Sequence, residues 1–213
     1  MRIRNIKNAN KKLHNTKYFL DCPEKYKGNF RSLFKNDGKL HLEIGVGKGD
    51  FIINMAIKYP NINFIGIEKF DTILLKASNK ADLYELDNLI LIRYDATYID
   101  ELFDNEIDHL YLNFSDPWPK TRHEHRRLTS DSFLIKYEKI FKGDILITQK
   151  TDNRNLFESS LINYSKQSYF IEDLSLDLYN SDLEDNVQTE YERKFSDEGQ
   201  TIYKVDVKKV YKG

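Results

Sequence analysis

Apolar residues along this 213-residue chain gather in short runs that alternate with amphipathic stretches. Runs at 40–44, 62–67, 89–93, 107–114, 144–149, 169–175 and 201–210 read as strands, several with no polar face, as expected where both faces are covered. Between them, residues 50–59, 70–85, 97–103, 130–141 and 153–166 carry apolar positions three and four apart and read as helices, with Thr129 or Ser130 available to cap the fourth. Strand–helix alternation with short connections predicts an α/β fold: a doubly wound, mainly parallel seven-stranded sheet with helices on both faces. The last two strands have no helix between them and are expected to form an antiparallel pair at one edge. The chain shows no internal repeat. It divides into a basic leading segment, 1–38, and a single domain, 39–213.

Open α/β sheets bind ligands at the carboxyl ends of their strands, so those ends carry the chemistry. The first strand runs into Glu43-Ile44-Gly45-Val46-Gly47-Lys48-Gly49-Asp50. Glycines at Gly45 and Gly47 permit positive φ and a close approach of backbone to ligand. A dinucleotide fingerprint needs its third glycine at position 50, which is aspartate, and a P-loop needs its lysine before a serine or threonine at a helix start. Glu43 would repel a pyrophosphate but suits the ammonium and sulfonium of S-adenosylmethionine. The second strand ends in Glu68, placed to accept from ribose hydroxyls. The third leads to Asp95, within reach of an adenine amine, and the fourth to Asp116. One acid at a strand end is often a plain helix cap. Four at successive strand ends are harder to dismiss.

The connection after the fourth strand, Asn113 to Arg127, joins Asp116 and a rigid Pro117-Trp118-Pro119 clamp to a basic cluster containing Lys120, Arg122, His123, Glu124, His125, Arg126 and Arg127. An acid, a clamp and cations at the ligand edge of a sheet suggest action on a nucleic acid. A second polar connection, 177–200, holds Thr189-Glu190-Tyr191-Glu192: either a hydroxyl, a ring and two carboxylates that receive a base, or a solvated helix end.

Net charge is −1, so any nucleic-acid footprint is local. Residues 1–17 carry Arg2, Arg4, Lys7, Lys11, Lys12 and Lys17 without an acid, either a phosphate-gripping arm that orders on binding or a solubilising tail. The basic start leads into no apolar core, which argues against a secretory signal, and no apolar run reaches membrane-spanning length, so a cytoplasmic protein is expected. Cys22 is the sole cysteine, and the five histidines lack metal-ligand spacing, so no metal is expected.

Glu-x-Gly-x-Gly-x-Gly at 43–49 resembles the S-adenosylmethionine motif of class I, Rossmann-like methyltransferases. Asp116-Pro117-Trp118-Pro119-Lys120, Arg122-His123, Arg126-Arg127, Thr151-Asp152-Asn153 and Thr189-Glu190-Tyr191-Glu192 together resemble the bacterial tRNA (guanine-N7-)-methyltransferases, over the chain from about Leu40 onward. The resemblance implies methylation of a guanine in the tRNA variable loop, with Glu43, Gly45, Gly47, Glu68, Asp95 and Asp116 at the cofactor and Asp116 also catalytic. It further implies that Lys120, Asp152 and Thr189 to Glu192 contact substrate, and that Arg122 to Arg127 meet tRNA; a monomer and a homodimer both stay open. His125 stands where the family often carries lysine, and Val46 is a mild variation.

Two rivals stand beside this reading. Exocyclic-amine methyltransferases place a second proline where this chain has Trp118. A non-catalytic RNA-binding relative of the same fold has no need of intact acids at four strand ends.

Overall fold

The computed structural model describes residues 6–180, 186, 187, 189, 192 and 199–211. Seven strands, β1 (Leu40–Ile44), β2 (Asn63–Glu68), β3 (Leu89–Arg93), β4 (His109–Asn113), β5 (Ile145–Thr151), β6 (Phe170–Ser175) and β7 (Tyr203–Lys209), form one sheet in the order β3-β2-β1-β4-β5-β7-β6. The five strands β1 to β5 pair in parallel, and β7 runs antiparallel to both β5 and β6. The expected mainly parallel sheet with a reversed strand near one edge is what forms.

Alternation along the central strands separates two apolar layers. Leu40, Leu42, Ile44, Ile65, Ile67, Leu110 and Leu112 turn to one side and pack with α4 (Ile99–Leu102), α5 (Asp131–Ile140) and α6 (Arg154–Lys166). Phe64, Leu89, Leu91 and Tyr111 turn to the other, against α1 (Ala9–Leu13), α2 (Asp50–Lys58) and α3 (Asp71–Ala81). Gly66 in β2 makes this second layer possible. A Cβ there would lie 2.6 Å from Val46 Cγ1 and 2.9 Å from both Ile52 Cδ1 and Leu91 Cδ2, so the missing side chain lets the glycine loop and α2 settle onto the sheet.

Two expectations change. The described part of the N-terminal segment, from Ile6, is neither a free arm nor a tail. Leu13 and Tyr18 are buried, α1 packs on α3, and Phe19 forms a parallel bridge with Leu91 at the β3 edge. Apolar side chains at 9, 13, 18 and 19 supply the burial that the intervening lysines hide from a charge count. The helix expected over 70–85 ends at Ala81 for the same reason: Lys17 N–H donates to Asp82 Oδ1, and the Tyr18 hydroxyl donates to Tyr84 O and accepts from Leu86 N–H. Residues 82–86 thus give their polar groups to the N-terminal segment instead of a further helical turn.

Candidate active site

Glu43 sits one residue before the end of β1 with 2% of its surface exposed. Asn113 Nδ2, at the end of neighbouring β4, donates to its Oε1 at 2.9 Å, while Oε2 is buried with no hydrogen-bond partner. Burial pushes this carboxyl up to about 8. The Asn113 hydrogen bond and the Lys150 ammonium pull the other way, and Glu68 and Asp50 add to the rise. A buried carboxylate oxygen without a donor needs a partner, and a cation on Oε2 would both satisfy it and stabilise the ionised form.

The loop beside it is shaped to receive such a group. Gly45 and Val46 N–H both donate to Ile67 O, which fixes the loop over the end of β2. Gly45 and Gly47 have φ of +79° and +57°, and a Cβ on either would meet nothing within 4 Å. Both therefore face open space as a cradle, with backbone conformations that L side chains rarely adopt.

Glu68, the last residue of β2, is buried and accepts from Phe70 N–H at 3.0 Å and Gly47 N–H at 3.4 Å. Burial raises its pKa against those two bonds, and the Asp116 charge adds to the rise. Asp95 follows β3 beside it. Burial pushes its carboxyl up, but Lys69, 2.7 Å from Oδ2, and Thr97 N–H outweigh that and hold it low. The Glu68 charge thus acts on Glu43 and the Asp116 charge on Glu68, and Asp95 stands at the next strand end. The expected row of acids is gathered at one edge of the sheet.

The connection after β4 is held in an unusual backbone. Phe114 and Trp118 have φ of 50° and 41°, a region costly for bulky residues. Its first residue is tied to β5 by Phe114 N–H donating to Lys150 O at 2.9 Å. Its far side is tied by Arg127, whose Nε donates to Pro117 O at 2.9 Å and whose Nη2 donates to Trp118 O at 3.2 Å. Arg127 is only 7% exposed. It therefore departs from the expected RNA contact: its guanidinium is turned inward to the Pro117 and Trp118 carbonyls, with Nη1 3.4 Å from Glu124 Oε1. Asp116, Lys120, Arg122, Glu124, His125 and Arg126 are exposed, and His123 is half-buried. Arg126 lies over the Trp118 ring at 5.0 Å, with His123 edge-on to the same ring, so this part of the basic cluster is organised around Trp118.

Just after β5, Asp152 is exposed, and Asn153 caps α6 by accepting from Leu156 N–H at 2.8 Å. Thr189 and Glu192 are buried and bond reciprocally. Glu192 Oε2 accepts from Thr189 N–H at 3.0 Å, and Thr189 Oγ1 accepts from Glu192 N–H at 2.9 Å, the arrangement of a helix-start capping box. Glu192 also accepts from Lys150 Nζ at 3.2 Å and from Asn186 Nδ2. Its carboxylate is saturated inside the protein, so in this conformation it is not offered to a base as expected. Glu190 and Tyr191 lie outside the described residues.

Two residues that no motif in the sequence marks also bear on this edge: Asn113, which bonds Glu43, and Lys150, whose charge acts on it. Lys150 is the penultimate residue of β5, buried between Gln149 and Thr151, and no apolar run in the sequence reaches it. A cavity of about 440 Å³ adjoins it on the α2 side of the sheet, lined by Phe51, Tyr111, Thr148, Val187 and Asp206 among others. None of the four edge carboxylates lines it. Among the described residues no cluster of three His, Cys, Asp or Glu could hold a metal, and no helix is long and apolar enough to cross a membrane.

Comparison with known proteins adds an independent line. A family described as "Putative methyltransferase" matches residues 37–205. A tRNA (guanine-N(7)-)-methyltransferase of Streptococcus mutans is 49% identical over 212 residues, covering 98% of this chain and all of the relative. Its counterpart in Brevibacillus brevis is 45% identical over 214 residues, covering both chains fully, and that of Bacillus licheniformis is 47% identical over 90% of this chain and 91% of the relative. Among solved structures, an antibiotic-related methyltransferase aligns with a TM-score of 0.66 at 15% identity, covering 89% of this chain and 96% of its own. The 16S rRNA methyltransferase KamB aligns with a TM-score of 0.61 at 12% identity, covering 86% and 93%. At those identities the structural likeness speaks for the class I methyltransferase fold alone.

Proposed function

The chain belongs to the bacterial tRNA (guanine-N7-)-methyltransferase family, and from that premise we propose how its residues carry the reaction. The enzyme methylates N7 of a guanine in tRNA, and the target is assigned to the variable loop. S-adenosylmethionine, when bound, supplies an electrophilic methyl on a positively charged sulfur. The observation that carries the cofactor assignment is the orphaned, buried Oε2 of Glu43 beside the open cradle of Gly45 and Gly47. In this reading Glu43 takes the cationic end of the cofactor, Glu68 the ribose hydroxyls and Asp95 the adenine amine.

Guanine N7 has a free lone pair, so no base must remove a proton before attack. With the cofactor in place, N7 would take the methyl as its bond to sulfur gave way, so positive charge would pass to the purine and this chain's residues would have to meet it. Positioning for in-line displacement is then the main task, an effect worth roughly 7–11 kcal/mol in favourable cases. Asp116, exposed at the tip of a braced loop and within electrostatic reach of Glu68, is assigned to meet the developing cation or to hold the base by its N–H edge. Lys120, Asp152 and the 189–192 segment are assigned to the substrate side. Arg122, His123, Glu124, His125 and Arg126 form the surface that meets tRNA, with Arg127 bracing it from beneath. The catalytic domain is taken as 39–213, with 1–38 leading into it, in a cytoplasmic protein.

Incubation with methyl-labelled cofactor and unmodified tRNA, followed by borohydride and aniline, tests the assignment. Strand cleavage at a labelled guanine is the expected result. Methyl incorporation without cleavage would move the reaction to another atom.

A further inference from the structure

Lys150 carries a charge into a nearly sealed place: its side chain is 3% exposed, and that of Glu192 is 0% exposed. An ammonium has three donors, and all three are used on one segment. Nζ donates to Asn186 Oδ1, to Val187 O at 3.0 Å and to Glu192 Oε2 at 3.2 Å. The segment is cross-tied in turn, since Asn186 Nδ2 donates to Glu192 Oε1 and Thr189 N–H to Glu192 Oε2. The same Nζ lies 5.5 Å from the centre of the Phe51 ring on α2, directly behind the glycine loop, and its charge acts on Glu43. The Lys150 backbone carbonyl accepts from Phe114 N–H, at the root of the Asp116 loop.

One residue thus touches the 186–192 segment, the helix behind the cofactor loop and the strained loop bearing Asp116. We propose that Lys150 is a positioning residue for methyl transfer, latching the base-binding segment to the end of β5 so that it is held in register with Asp116 and the cofactor edge. The proposal rests on the functional reading above. It assigns Glu192 to the latch and leaves direct contact with the base to its neighbours. Buried ion pairs of this kind add little net stability compared with apolar replacements, so stability alone does not explain why the charges are there.

The test compares the wild-type protein with Lys150→Met and with Lys150→Met/Glu192→Gln, whose side chains leave no unpaired buried charge. Measurements are the melting temperature, cofactor affinity by calorimetry, and KM and kcat with unmodified tRNA. The single variant is expected to melt lower, because Glu192 is left buried and unpaired. The double variant is expected to recover most of the melting temperature yet keep kcat/KM for tRNA reduced by roughly tenfold to a hundredfold. Cofactor affinity in the double variant should stay within about threefold of wild type, a change of less than 1 kcal/mol. Recovery of kcat/KM together with melting temperature would make the pair purely structural, and an unchanged kcat/KM in a folded single variant would also overturn the latch. If the wild-type protein itself produced no aniline-sensitive guanine, the functional reading would fail; an active wild type with unaffected variants would defeat the latch alone.

Discussion

The edge proposed to hold the cofactor and the edge proposed to meet the substrate are built in different ways. Glu43 and Glu68 are carried directly on strands and Asp95 follows one within two residues, so the sheet's hydrogen bonds fix the backbone beneath them. Asp116 and the 186–192 segment have no such support. One projects from a loop with left-handed Phe114 and Trp118, the other lies beyond the last residue of β6, and among the described residues an inward-turned cation, Arg127 or Lys150, ties each to the body of the protein. A cofactor common to many methyltransferases can sit on what the fold provides. The surface proposed to select the base is added in loops and then needs staples of its own.

The difference can be attacked at several points, and the largest effect is expected at the loop tip. Asp116→Ala should reduce methyl transfer by roughly two to three orders of magnitude, as when a charge-stabilising group is removed, while cofactor binding stays measurable by calorimetry. Near-normal turnover would take Asp116 out of the mechanism. Next comes the staple beneath it. Arg127→Met should lower turnover by roughly a hundredfold through misplacement of the loop. The salt dependence of tRNA binding should stay as steep as in the wild type, because Arg127 is not a surface cation. A shallower slope in that variant would return it to the phosphate-binding set.

On the cofactor edge, the titration of Glu43 sharpens the contrast. Its carboxyl, ordinarily near 4.5, is raised to about 8 by burial. The folded protein without ligand therefore favours the protonated form, and the stability from that preference is present below pH 4.5 and lost as pH climbs through about 8. A cation on Glu43 requires the ionised form. Cofactor affinity should then rise with pH between 6 and 8, by at most about tenfold per unit, and level off above. Glu43→Gln should bind more weakly and flatten that profile, and a wild-type profile that is already flat would count against Glu43 as the cation's partner. The smallest effect is expected at the rim: Arg122→Ala with Arg126→Ala should weaken tRNA binding several-fold and reduce the salt slope by roughly 1.5–2, about one phosphate contact each. No change in slope would leave those arginines as ordinary solvated surface.

The strand-borne half of the site is legible in the sequence because burial on both faces writes itself as an apolar run, and each acid stands where a run stops. The stapled half is not legible in the same way. An arginine in a polar loop reads alike whether its guanidinium meets phosphates or the carbonyls of Pro117 and Trp118, and only the fold tells them apart. Thr189 and Glu192 carried a readable sign in their three-residue spacing, that of a capping box, but acids and a ring beside a hydroxyl also suit a base, and the chemical reading eclipsed the local one. Lys150 falls just past the apolar run 144–149, beside polar Gln149 and Thr151, and its acceptors lie 36 to 42 residues away in sequence, so nothing local marks it as buried. The packing of residues 6–20 was hidden because its few apolar anchors are interleaved with lysines.

Those anchors bear on more than the first helix. Where Phe19 meets Leu91, Leu20 N–H donates to Leu91 O and Leu91 N–H donates to Tyr18 O, which occupies backbone groups on the outer margin of β3. A truncation beginning at Leu40 would keep every proposed catalytic group but bare that margin to strands of other molecules, a common route to insoluble assemblies. The leading segment thus serves as a guard rail for the sheet, and a shortened enzyme is expected to fail first by clumping.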